Sequence, residues 1–159
     1  MDPALLQPSI RGSTPSEVYS PRATFFTAFL GGPIAAVLIH GLNAKHFDRW
    51  DHERWPLAGA LVVAVGVVVG AAYVAVARPD LLAALPEELG RGRLVRWGSR
   101  LVALMLWGVL YLRMRENYRA AEMQAEYRPA WRAGLACVAI GTLVSLVVVG
   151  AVTLVAKAT

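Results

Sequence analysis

The sequence predicts an all-α fold, an integral membrane four-helix bundle with a Pro-kinked first transmembrane helix. Three observations predict it. Hydrophobic residues make up 57% of the 159 positions and the mean hydropathy is +0.48, which is too apolar for a water-soluble domain of this length. Apolar runs of about 20 residues, enough at 1.5 Å per residue to cross a hydrocarbon layer of roughly 30 Å, recur along the chain. Finally, Gly31-Gly32-Pro33 stands in the middle of the first run, where a proline removes one backbone donor and crowds the preceding turn.

Residues 1–22 read as a flexible tail, because Pro3, Pro8, Pro15 and Pro21 suit extended chain better than helix. The tail lacks the basic segment, apolar core and small-residue cleavage site of a secretory signal. Residues 23–159 form the membrane domain, with spans at about 23–42, 57–77, 95–113 and 133–156. The first span holds one ionisable residue, His40, and the second and fourth hold none. The third is shorter in its uncharged part, Leu101 to Leu112. It crosses only if Arg96 and Arg100 lie along the helix and carry their charge back to the headgroups. Trp97, Trp107 and Tyr111 fit aromatic belts at its two ends.

The break at Gly31, Gly32 and Pro33 has two readings. It is either a notch that bends the first helix around its neighbours, or a discontinuity whose backbone faces a solute site at the bilayer midplane. Small residues recur elsewhere: Gly59, Gly66 and Gly70 in the second span, and Gly134, Gly141 and Ser145 in the fourth. Helices in lipid associate by close packing, so these positions are expected to lie in helix interfaces, within the chain or with a partner. Cys137 is the sole cysteine and sits in an apolar run, where packing is its expected role.

The loops carry the polar chemistry. His46, Asp48, Asp51 and His52 are weak catalytic or metal-ligating candidates, since imidazole and carboxylate suit both tasks. No HExxH or repeated histidine pattern accompanies them, so no metal and no cofactor are expected. Asp80 to Gly90 reads as an amphipathic segment on the membrane surface. Arg93, Arg96 and Arg100 follow it at spacings of three and four, suited to anionic lipid headgroups or another anion. Met114, Tyr118, Ala121 and Ala125 make an apolar stripe that could dock a partner or rest on lipid.

The formal charge is +5, but its arginines cluster at the ends of apolar runs, which points to the bilayer as partner and away from nucleic acid. Four spans would divide the 16 Lys and Arg equally between the two sides, leaving no positive-inside bias. Two arrangements answer that balance: one fixed orientation set by other features, or dual insertion as an antiparallel homodimer.

Tyr19-Ser-Pro-Arg-Ala-Thr-Phe-Phe-Thr-Ala-Phe-Leu-Gly-Gly-Pro-Ile-Ala35, together with Trp131-Arg-Ala-Gly134, resembles small bacterial inner-membrane proteins of unknown function. The resemblance implies a multi-pass protein of the bacterial inner membrane and brings no activity or site with it.

Three functions follow from the residues. The first is a non-enzymatic protein acting by contact, as an accessory or assembly subunit or a self-associating scaffold. The second is an oligomeric transporter or channel with the Gly31-Gly32-Pro33 break at its pathway. The third is a membrane enzyme using the His46–His52 loop.

Overall fold

A computed structural model describes residues 18–77, 91–124, 127 and 129–158. Four α-helices, with no strand among the described residues, build a helical bundle: α1 (Pro21–His46), α2 (Trp50–Ala77), α3 (Arg91–Gln124) and α4 (Trp131–Ala158). The protein is a membrane protein. α1, α2 and α4 are long and apolar enough to cross a bilayer. Most of the tail and the Asp80–Gly90 segment lie outside the described residues.

α1 starts where Ser20 accepts the Ala23 N–H at 3.2 Å, with Pro21 at the first helical position, a cap and a proline each suited to a helix start. It is broken at Gly32, whose φ of 76° and ψ of −168° are not helical. That conformation is open essentially to glycine alone, and Pro33 then restarts the helix.

The break is sharper than a bend. Both main-chain groups of Tyr19 are hydrogen-bonded to the Asn43 amide, each at 3.1 Å, although the two residues are 24 apart in sequence. A straight helix would separate them by about 36 Å. The two arms of α1 therefore lie side by side as a hairpin with Gly32 at its tip, each reaching roughly 16 to 21 Å from the tip. The Tyr19 and His46 rings, edge to face at 5.6 Å, meet at the same end.

This hairpin is the centre of the molecule. Half of its most apolar window is buried inside the protein, against 11% for α2 and 11% for α4. α2 begins beside the hairpin's ends, passes the tip near Val68 and continues beyond it. α4 descends along the first arm, with Gly134 against Thr27 and Gly141 against Gly31 and Ala35, and then continues past the tip beside α2. α3 runs the other way, from Arg100 at Phe29 near the tip to Tyr118 at Asn43 by the open end.

The apolar stripe on α3 finds its partner within the chain. Met114, Tyr118 and Ala121 are at most 2% exposed, and Met114 and Tyr118 belong to a core with Val18, Val37, Ala44 and Leu57. Ala125 lies outside the described residues. Cys137 packs with Tyr19, Ala35 and Ile39.

Candidate functional site

The two ends of the hairpin differ in chemistry. At the open end, Asn43 is fully buried and donates to the Tyr118 hydroxyl at 2.7 Å as well as to the Tyr19 carbonyl. A buried amide must use its donors and acceptor or lose their hydration without return, and here one side chain satisfies two backbone groups and a phenol. Nearby, Trp107 Nε1 donates to Thr24 at 3.1 Å and Phe47 meets Tyr118 edge to face. Glu53, only 4% exposed, accepts from Arg113 at 3.2 Å and ties α2 to α3. His40 is fully buried, with Nδ1 3.0 Å from the Ala36 carbonyl.

The loop candidates do not converge. His46 leans on Tyr19, Asp48 is exposed in a turn at φ 54°, Asp51 is exposed and pairs with Arg54 at 3.6 Å, and His52 is exposed. Among the described residues no three His, Cys, Asp or Glu side chains come together as metal ligands.

The tip is built from small residues and one charge. A Cβ on Gly31 would stand 3.0 Å from the Val138 backbone, and one on Gly141 would stand 3.1 Å from the Gly31 carbonyl and 3.2 Å from the Ala35 nitrogen. Glycine at both positions is what lets α4 lie against the turn. Ser145 donates to the Gly141 carbonyl at 2.8 Å, one turn further on. Gly59, Gly66 and Gly70 differ: among the described residues a Cβ on any of them would meet nothing within 4 Å, and Gly66 and Gly70 border an open groove between α2 and α4.

Beyond the tip, where the hairpin ends and α2, α3 and α4 go on, there is a cavity of about 460 Å³. Gly31, Gly32 and Pro33 border it together with Arg100, Thr142 and Ser145. Along α4, Gly141 at the tip is ten residues from Trp131, about 15 Å at 1.5 Å per residue, which is half the thickness of a roughly 30 Å hydrocarbon layer. Arg100 holds its guanidinium 5.0 Å from the Phe29 ring centre and 5.7 Å from that of Trp97. Two aromatic faces thus lie beside the cation, near the level of the tip. The side chains of Arg93 and Arg96 lie outside the described residues.

Sequence reasoning missed the roles of Asn43, Tyr118 and the Glu53–Arg113 pair. Asn43 carried a readable signal, a lone amide at the end of an apolar run, where an unpartnered polar group would be costly.

No family model matches the sequence, and no solved structure does. Two curated proteins share a partial likeness, the sn-glycerol-3-phosphate import ATP-binding proteins UgpC of Burkholderia mallei and of Burkholderia pseudomallei. Each is 33% identical over 110 residues, which takes in 58% of this chain and 30% of theirs. The chain thus spans less than a third of the curated relatives it matches. It contains no G-x-x-x-x-G-K-[ST] run, the sequence with which many ATP-binding proteins cradle phosphate.

Proposed function

We propose that this is a multi-pass protein of the bacterial inner membrane that moves a small solute, with the hairpin tip at its pathway. The observation that carries the reading is the reversal of α1 at Gly32, which leaves a cavity at mid-depth bordered by the turn itself. Non-helical backbone at membrane depth is tolerated only where protein buries it or an aqueous cavity receives it, and at this tip Gly31 and Gly32 are partly buried beside a cavity. A charged side chain at the same depth is costly and is by default a functional feature. The half-membrane helix arm ending beside a solute site is a recurrent device of transporters.

In this reading α1 is a re-entrant hairpin, and the crossings are α2, α3 and α4. The Lys and Arg positions of the described helices and turns then divide eight to five. Arg22, Lys45, Arg49, Arg54, Arg113, Arg115, Arg119 and Arg132 fall on the side of the hairpin's open end, and Arg91, Arg93, Arg96, Arg100 and Lys157 fall toward the other. By the positive-inside bias, this reading has the open end facing the cytoplasm. In this reading the even division of a four-crossing count gives way to an uneven one among the described positions, which favours a single orientation over dual insertion.

The test is solute flux in proteoliposomes holding the purified protein. Efflux of at least one solute class, reduced by Gly32→Ala, supports the reading; no flux of anions, cations or neutral polyols above protein-free vesicles contradicts it.

A second reading, action by contact, is favoured by the outer surface of the bundle. Val62, Tyr73, Leu143, Leu146, Val147 and Leu154 are all more than half exposed, and the Gly59–Gly66–Gly70 row is open. Such a row permits close approach of a second helix, from another copy or another protein. A homo-oligomer joined through α2 would be compatible with transport as well.

A further inference from the structure

We infer that the cavity beneath the hairpin tip binds a small oxyanion, a carboxylate or phosphate group, through the guanidinium of Arg100. The inference rests on the transport reading for its route but on the geometry of Arg100 for its chemistry. Of the described residues bordering the cavity, Arg100 is the one that carries a charge; the others are small, aliphatic or hydroxyl-bearing, with Thr142 and Ser145 opposite on α4. Among the described residues no carboxylate pairs with Arg100.

The contacts shown for its guanidinium are the rings of Phe29 and Trp97. Aromatic rings stabilise a cation through their faces and accept little from its in-plane N–H groups. A guanidinium carries five such donors in a planar fork, and the fork matches a carboxylate or phosphate with two parallel bonds. A partly buried cation is best stabilised by an opposite charge, and among the described residues none is paired with Arg100, so an anion entering the cavity would supply one. About 460 Å³ is room for a small organic anion with some water.

The shared chemistry allows two sources, a free solute or the phosphate of a lipid headgroup, and two measurements separate them. The first is efflux of radiolabelled inorganic phosphate and acetate, with potassium and glycerol as controls, from phosphatidylcholine vesicles containing the full chain. The second is native mass spectrometry of protein purified with phosphatidylglycerol. Arg100→Gln removes the charge, Arg100→Lys keeps charge without the fork, and circular dichroism with a thermal midpoint checks that each variant folds.

For a free solute the expected result is anion efflux at least tenfold above glycerol, falling about tenfold in Arg100→Gln and less in Arg100→Lys. For a lipid source, retained phosphatidylglycerol is lost in Arg100→Gln. Either result supports the anion site. Glycerol or potassium flux with no dependence on Arg100, and unchanged phosphatidylglycerol retention, overturns it while leaving transport standing. Arg100-dependent lipid retention without flux of any solute leaves the anion site and removes the transport reading.

Discussion

The two ends of the hairpin are made of the same helix and differ in almost every other respect. At the open end the side chains are large, buried and mutually hydrogen-bonded, with Asn43, Tyr118 and Tyr19 locking one another. At the tip the side chains are small, a glycine backbone makes the turn, and space remains. Stability is concentrated where the arms meet, and openness where they part. A reversal in mid-membrane needs this division, because the turn itself has few side-chain contacts to hold it and must be held from the other end.

If that is right, substitutions at the open end should cost more than those at the tip. Asn43→Leu leaves the Tyr19 N–H and C=O without their partner in a buried site. At about 1–3 kcal/mol for each unsatisfied buried group, a loss of roughly 2–6 kcal/mol is expected, read from equilibrium unfolding in mixed micelles. Gly32→Ala comes next. A Cβ there meets nothing, so the cost is conformational, about 1–3 kcal/mol for holding a side chain in that backbone region, and it favours a straighter α1. Distance measurements between spin labels at positions 22 and 45 should lengthen in a fraction of the molecules.

The next contrast lies between the two sets of small residues. Gly141→Leu forces α4 off the turn and should cost about 1–3 kcal/mol, the range for overpacking a filled site. Gly70→Leu, into open space, should stay within about 0.5 kcal/mol for the single chain. Its effect, if α2 pairs with a second copy, is on crosslinked dimer yield and not on unfolding. Equal destabilisation by the two leucines would erase the distinction drawn between inward and outward glycines.

Much of this arrangement was readable from residues alone. The apolar runs gave the helices, and Gly31-Gly32-Pro33 marked the break. Gly134, Gly141 and Ser145 lie on the α4 face that meets the hairpin. The reversal was not readable, since the same tripeptide suits a shallow kink and a full turn. The choice is made by the pairing of Tyr19 with Asn43, 24 residues away, which no local pattern encodes. The contact of Arg100 with Phe29 was not readable for a related reason: a long flexible stem reaches headgroups or rings equally well, and Phe29 lies on another helix. The even charge tally counts α1 as a crossing; under the proposed re-entrant reading of α1 the described Lys and Arg divide unevenly instead.

The most direct test of the hairpin asks on which side of the membrane α1 begins and α4 ends. With Cys137 replaced by alanine, single cysteines at Arg22 and Ala158 can be labelled in right-side-out and inverted vesicles with a membrane-impermeant maleimide. A hairpin followed by three crossings predicts labelling from opposite faces, with position 22 cytoplasmic. Labelling of both positions from the same face would mean that α1 crosses the bilayer, and would contradict the reversal at Gly32.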